Sequence, residues 1–185
     1  MISSGDLRNG TMFEHDGQLV SIVSVEHIKM ARQPAVIKAK LRNVLTGSIY
    51  EQSFKTGEKF RLVRIDSDEA TYLYEDGTHH YFMDSRTYDQ VPVDADMLES
   101  VLPLLKEGST VFLQRYDDRL IGVELPINVD LRVTSTDPGF KGDTVSGGTK
   151  PAKLETGATI QVPLFIQSGD VIRVDTRDHS YVERA

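Results

Sequence analysis

The chain has 185 residues, of which 39% are hydrophobic and 26% charged, a composition typical of a folded protein rather than a disordered one. Its formal net charge of −7 is uneven: +4 for residues 1–64 (ten Lys/Arg, six Asp/Glu), −10 for residues 65–127 (four and fourteen) and −1 for residues 128–185 (seven and eight). The absence of cysteine excludes disulfides, thiolate metal sites and a cysteine nucleophile. No apolar run approaches the ~18–20 residues of a membrane span, and the first fifteen residues lack the apolar core of a signal peptide. We therefore expect a cytoplasmic protein without membrane contact.

Strand signals follow one another along the whole chain. Short alternating runs are separated by turn dipeptides, of which Asp16-Gly17 and Asp76-Gly77 are strong hairpin signals. Only Asp94–Glu107 has helical spacing, and Pro103 limits it to one or two short pieces. The predicted strands are Val20–Ile28, Ala35–Arg42, Ser48–Phe54, Thr71–Tyr74, His80–Met83, Thr110–Arg115, Leu120–Leu125, Val129–Thr134, Thr159–Val162, Val171–Asp175 and Tyr181–Arg184.

Turns every eight to twelve residues between short strands predict small barrels or sandwiches. The charge changes near residues 64 and 127 divide the chain into three units of similar size. We therefore predict an all-β protein with domains at 1–64, 65–127 and 128–185. Units this small bury little core each, so we expect neighbours to pack together.

No set of residues predicts an enzyme. The five histidines show no i, i+4 pair, and the adjacent His79 and His80 point to opposite faces of a strand. The run Ser146–Lys150 resembles a phosphate loop only faintly, because it lacks the Gly-Lys-Ser/Thr ending and the following helix. We predict no catalytic residue, no metal and no cofactor.

The segment His27–Arg42 carries five cations and no acid. In its predicted strand the odd positions are small or apolar, so the cations at even positions share one face. Cations without counter-charge are typical of a phosphate-backbone contact, whereas an ordinary wet strand face would carry mixed signs. This favours RNA binding by two loop and three strand residues: Lys29, Arg32, Lys38, Lys40 and Arg42.

The segment Thr136–Gly148 has five Gly or Pro among its thirteen residues, which predicts turns and close backbone approach. Exposed amides beside Lys141, Asp143 and Thr144 suit contact with a sugar–phosphate chain. A plain connecting loop is the alternative.

At these residues the chain resembles the bacterial elongation factor P family over its full length. The strongest resemblance is KPAKLETGATIQVPLFIQSG at Lys150–Gly169, which is similar to the family signature of K-x-A, T-G-A, V-P-x-F and a final Gly. Further stretches that match the family are MISSGDLRNGT, TYLYEDGTHHYFMD, ELPINVDL, TDPGFKGDT and VDTRDHSYVERA.

The resemblance implies an N-terminal SH3-like (KOW-type) barrel followed by two OB-folds in an L shape that mimics tRNA. It implies a monomeric, non-enzymatic factor that binds both ribosomal subunits between the peptidyl and exit sites. There it would contact rRNA and peptidyl-tRNA and promote peptide-bond formation at consecutive-proline stalls.

The resemblance also implies roles for individual residues. Arg32 aligns with the loop tip that points to the acceptor end of peptidyl-tRNA. Some family members carry a modified Lys there and others an Arg modified with rhamnose, so a modifying enzyme acting on Arg32 is implied. Ala31 replaces the usual Gly before the tip. The small-subunit and mRNA contacts fall on Gly142, Asp143 and Thr144, with Tyr181 and Arg184 as further candidates.

Two alternatives stay open at this point. A paralogue with a different stalling spectrum would suit the unusual loop Met30–Pro34. A non-catalytic OB-fold RNA-binding protein would suit the composition but not the three-domain signature.

Overall fold

The structure is a computed structural model that describes residues 1–28, 36–138 and 148–185. The described residues form three antiparallel sheets. The chain divides into two compact units, residues 1–66 with 116–121 and residues 67–115 with 122–185. The all-β prediction is confirmed.

The first sheet has six strands in the order β1-β6-β2-β3-β4-β5. The Asp16-Gly17 turn joins β2 to β3 with both residues at positive φ, 51° and 73°, the conformation that a two-residue hairpin requires. A core of apolar side chains, including Phe13, Phe54 and Phe60, packs beneath the sheet. The strands are β1 Ile2–Ser3, β2 Met12–His15, β3 Gln18–Ile28, β4 Val36–Asn43, β5 Ile49–Lys55 and β6 Lys59–Leu62.

The second sheet has five strands in the order β11-β10-β7-β8-β9. Between β9 and β10 lie two 3-10 turns, Ala95–Met97 and Leu102–Leu104, so the predicted short helical pieces are confirmed. The strands are β7 Asp66–Glu75, β8 His79–Asp84, β9 Gln90–Asp94, β10 Thr110–Tyr116 and β11 Arg119–Glu124.

The third sheet has five strands in the order β14-β13-β12-β15-β16. Its buried side chains form one core with Leu104 from the loop before β10. The Thr156 hydroxyl donates to the carbonyl of Pro103 at 2.7 Å, and Lys106 pairs with Glu155 at 3.1 Å. These contacts join the second and third sheets within one unit. The strands are β12 Asn128–Thr136, β13 Thr149–Leu154, β14 Thr159–Pro163, β15 Val171–Asp175 and β16 Ser180–Arg184.

The strands that the sequence pattern missed have identifiable reasons. β9 contains Pro92 and is an edge strand, where a missing N–H is tolerated. β13 contains Pro151, and the inward position before it is a lysine, Lys150, so its alternation is hidden. The other strands that were not predicted are short: β1, β2 and β6.

Candidate nucleic-acid interface

The basic residues predicted on one strand face lie on β4. Along this strand the odd-numbered side chains from Ile37 onward are buried. The even-numbered side chains include three exposed cations, Lys38, Lys40 and Arg42. The predicted alternation is therefore confirmed. β4 is paired on both sides, with β3 and β5, so the three cations lie on the surface of a sheet and not on its edge.

The register of the sheet places carboxylates beside two of these cations. Glu26 of β3 is the cross-strand partner of Lys38, and Glu51 of β5 is the partner of Lys40. Directly opposite residues project to the same face about 5 Å apart. The expectation of cations without counter-charge is therefore wrong for Lys38 and Lys40. Glu26 and Glu51 lie outside the basic segment in the sequence, but strand pairing places them opposite these two lysines.

Two cations of this face have no carboxylate as cross-strand partner. Arg42 lies opposite Ser21 and Ile49, and Lys55 lies opposite Val36. Sequence reasoning missed Lys55. Lys55 follows Glu51 by four residues along β5, and this even spacing indicates that the two side chains project to the same face. On these three strands the face carries four cations (Lys38, Lys40, Arg42, Lys55) and two acids (Glu26, Glu51), so its net charge is positive.

The two predicted loop cations, Lys29 and Arg32, lie outside the described residues. The strands on either side end at a paired position, Ile28 of β3 and Val36 of β4. The chain therefore leaves and re-enters the sheet at one end of the strand pair that carries Lys38.

Some of the contact residues predicted in the C-terminal domain also lie outside the described residues, and others lie within them. Gly142, Asp143 and Thr144 lie outside the described residues. Tyr181 is half-buried and packs against the core of the third sheet, so it has a structural role that sequence reasoning missed. Arg184 is exposed on β16 opposite Ile172.

Lys150 is a signature residue whose position only the structure reveals. Its side chain is buried, and its ammonium nitrogen donates to the carbonyl oxygen of Asp137 at 2.7 Å. Nearby, the Thr136 hydroxyl donates to the carbonyl of Pro151 at 2.9 Å. Gly148 approaches Leu164 so closely that a Cβ on the glycine would lie 3.0 Å from the Leu164 Cδ1. The two hydrogen bonds hold the end of β12 against the start of β13, and the Gly148 approach packs the residue before β13 against Leu164, just after β14.

The adjacent histidines point to opposite faces of β8, as predicted. His80 is buried, with Nδ1 3.0 Å from the Tyr72 hydroxyl, whereas His79 is half-exposed with Nε2 3.3 Å from Asp94. Backbone amides of His79 and Thr78 and the Tyr81 hydroxyl donate to Asp76 and lower its pKa to about 2.

The described part of the chain has neither a metal-binding cluster nor a membrane-spanning helix. Residues 1–28, 36–138 and 148–185 contain no group of three or more His, Asp or Glu side chains placed to hold a metal ion. Within the same residues no helix is long and apolar enough to cross a membrane.

Family models match nearly the whole chain. The elongation factor P KOW-like domain matches residues 3–60, the elongation factor P OB domain residues 65–123, and the elongation factor P C-terminal domain residues 129–184. The first sheet thus belongs to the KOW-like domain, and the second and third sheets to two OB-type barrels.

Curated relatives match over the same extent. Elongation factor P of Moorella thermoacetica is 45% identical over 185 residues, 100% of both chains. Elongation factor P of Coprothermobacter proteolyticus is 47% identical over 184 residues, 100% of this chain and 99% of the relative.

Among solved structures, eukaryotic translation initiation factor 5A from Methanococcus jannaschii is similar with a TM-score of 0.51 and 19% identity. The match covers 66% of this chain and 94% of that one, and at this identity it supports the fold alone. Three family models end to end and relatives above 40% identity over their full length lead to one conclusion: the chain belongs to the elongation factor P family.

Proposed function

We propose that this protein acts as a translation elongation factor that binds the ribosome between the peptidyl and exit sites and relieves stalls at consecutive prolines. The observation that carries the proposal is the family match along the whole chain. The factor is not an enzyme and makes no bond itself. Its place of action is the cytoplasm, where translating ribosomes are found.

Its effect is one of positioning. The proline ring restricts φ and leaves a prolyl substrate few conformations that suit peptide transfer. A factor that holds peptidyl-tRNA in a reactive pose removes part of the entropic barrier, which correct orientation alone can lower by several kcal/mol.

We place the effector end at Arg32. The resemblance aligns this residue with the family's loop tip, and the paired strand ends Ile28 and Val36 support a hairpin arm that leads to it. A guanidinium can donate several hydrogen bonds to phosphate or ribose oxygens at the tRNA acceptor end. A modifying enzyme would add a group to Arg32, with rhamnose the one that the Arg branch of the family implies. Intact-mass and peptide mass spectrometry of the native protein tests this.

We assign RNA contact to the exposed face of β4, which carries Lys38, Lys40 and Arg42. Lys29, which precedes β4 in the sequence, is assigned to the same contact. The support is the positive net charge of the face, with Arg42 lacking a carboxylate as cross-strand partner. Lys38 and Lys40 act beside Glu26 and Glu51, so we expect them to contribute less than Arg42.

At the other end of the chain we assign small-subunit and mRNA contact to Gly142, Asp143 and Thr144. Arg184 is exposed and suits such a contact, whereas Tyr181 contributes through the core packing that supports β16. We further propose domain limits of 1–64, 65–127 and 128–185, which the family-model limits of 60, 65, 123 and 129 support.

The function is tested by translating a Pro-Pro-Pro reporter in a system depleted of its own factor. We expect the native protein to restore full-length product. Relief at other stalling motifs but not at Pro-Pro-Pro would point to the paralogue with a different spectrum, and no relief at any motif would refute the proposal.

A further inference from the structure

One face of the second sheet carries a group of aromatic and proline side chains, of which Tyr74 and Pro92 are exposed and Tyr81 is half-buried. Tyr74 of β7 and Tyr81 of β8 are cross-strand partners, and their rings stack with centroids 4.9 Å apart at 24°. Pro92 of β9 is the partner of Tyr81 on its other side. Tyr74 is 43% exposed. We call Tyr74, Tyr81 and Pro92, with the flanking acids Asp76 and Asp94, the central tyrosine face.

The central tyrosine face is acidic. Asp76 accepts a hydrogen bond from the Tyr81 hydroxyl at 2.9 Å. Asp94 lies opposite His79, and its carboxylate is 69% exposed. Asp76 therefore contacts the stacked pair directly, whereas Asp94 lies diagonal to Tyr81 in the register and 3.3 Å from the His79 imidazole. Both acidic residues are exposed.

No arginine or lysine of the surrounding sequence neutralises these acids. Residues 65–115, all of which the structure describes, contain eleven Asp/Glu and three Lys/Arg. Each of the three cations pairs with a carboxylate elsewhere: Arg86 with Asp68, Arg115 with Asp68 and Asp84, and Lys106 with Glu155.

This combination selects one class of partner. Exposed aromatic faces attract lysine and arginine side chains through the ring quadrupole, and carboxylates at the rim complete the charge balance. Single-stranded RNA also stacks on aromatic rings, but proteins that use this mode surround the rings with positive charge. The acidic surroundings here oppose a phosphate backbone.

We propose that the central tyrosine face binds a lysine- or arginine-rich protein segment, with a cationic side chain over the Tyr74–Tyr81 pair and Asp76 and Asp94 as its counter-charges. This partner is distinct from the RNA contacts assigned to β4. The proposal does not depend on the action at proline stalls, since it follows from the chemistry of this face alone.

The test is fluorescence anisotropy of a labelled alternating glycine–arginine peptide with the full-length protein, at low and at physiological salt. We expect saturable binding that Tyr74→Ala weakens about five-fold, whereas Tyr74→Phe, which keeps the ring, binds as the parent does. Asp76→Asn with Asp94→Asn should weaken binding by a similar factor.

Matched controls separate this face from general acidity. Tyr88→Ala removes a tyrosine that is 73% exposed on the turn after β8, and Asp96→Asn with Glu99→Gln removes two exposed charges elsewhere in the same domain. Both controls should bind as the parent does, and circular dichroism should show every variant folded.

Three results would overturn the proposal. One is a peptide affinity that falls equally in the controls, which would mean non-specific attraction. Another is the absence of saturable binding. The third is a labelled oligouridine that binds more tightly than the peptide and loses affinity with Tyr74→Ala, which would make the face a nucleic-acid platform.

Discussion

Lys150 donates from its buried ammonium nitrogen to the carbonyl oxygen of Asp137, thirteen residues earlier in the chain, across 2.7 Å. The bond ties the start of β13 to the chain just beyond the end of β12. A lysine at an inward position of a strand is costly unless its charge finds such an acceptor. The lysine of the K-x-A signature thus has a structural explanation in this fold.

Replacing Lys150 by Met should lower the free energy of unfolding by about 1–3 kcal/mol, because the apolar stem is kept while the Asp137 carbonyl loses its donor. Urea denaturation measures the difference. The control is Lys153→Met, which alters an exposed lysine on the same strand and should change stability by less than about 0.5 kcal/mol. Equal effects of the two substitutions would contradict the role given to Lys150.

Removing the charges of Lys38, Lys40 and Arg42 together should weaken ribosome binding and flatten its dependence on salt, because fewer counterions are released. The fold should persist, since all three side chains are exposed. Binding is measured by filtration across a salt series, and an unchanged salt slope would mean that this face does not meet RNA.

Glu26→Gln with Glu51→Gln is the converse experiment on the same face. These acids lie beside Lys38 and Lys40, so their removal should tighten ribosome binding and steepen the salt slope. Weaker binding would show that the two carboxylates themselves contact the ribosome.

Arg32→Ala should leave ribosome binding nearly intact while it removes most of the acceleration at consecutive prolines. One exposed contact among many is worth about 1–2 kcal/mol of binding, whereas the tip is the part we place at the reacting end of the tRNA. Single-turnover synthesis of a Pro-Pro-Pro peptide measures the rate, and Arg32→Lys tests whether charge without the planar fork suffices. Acceleration by Arg32→Ala equal to that of the parent would move the effector end elsewhere.

Asp84→Asn should destabilise the protein in a pH-dependent way. Backbone amides of Arg86 and Thr87, with the charge of Arg115, hold the pKa of the buried Asp84 below its usual range. A lowered folded-state pKa means that the ionised carboxylate stabilises the fold above the unfolded pKa of about 3.9, and that this contribution is lost as pH falls through the lower folded value.

The stability difference between parent and Asp84→Asn should therefore be full at pH 7 and shrink below about pH 4. Chemical denaturation across this range measures it. Asp89→Asn, at an exposed position, is the control and should show a smaller difference throughout. A gap that does not depend on pH would mean that shape, not charge, sets the role of Asp84.

Much of the local structure could be predicted from the sequence because it depends on neighbours along the chain. The alternation of β4 follows from side chains that point to opposite faces at every step, and the opposed directions of His79 and His80 have the same cause. The Asp16-Gly17 hairpin follows from residues that tolerate positive φ.

The electrostatic character of the candidate interface was decided only by tertiary structure. Glu26 and Glu51 lie on the strands that flank β4, and only the register shows that they fall opposite Lys38 and Lys40 and that Lys55 joins the same face. A shift of one residue would send each of these side chains to the other face.

Lys150 and Leu104 show the same division between sequence and structure. The periodicity of the sequence determined that the chain folds into small β-sheet domains, barrels or sandwiches, since alternation and turn chemistry act over a few residues. Only the packed structure decided that Lys150 is buried against the carbonyl of Asp137 and that Leu104 enters the core of the third sheet. Burial depends on which distant segments meet, and strand order and register set those meetings.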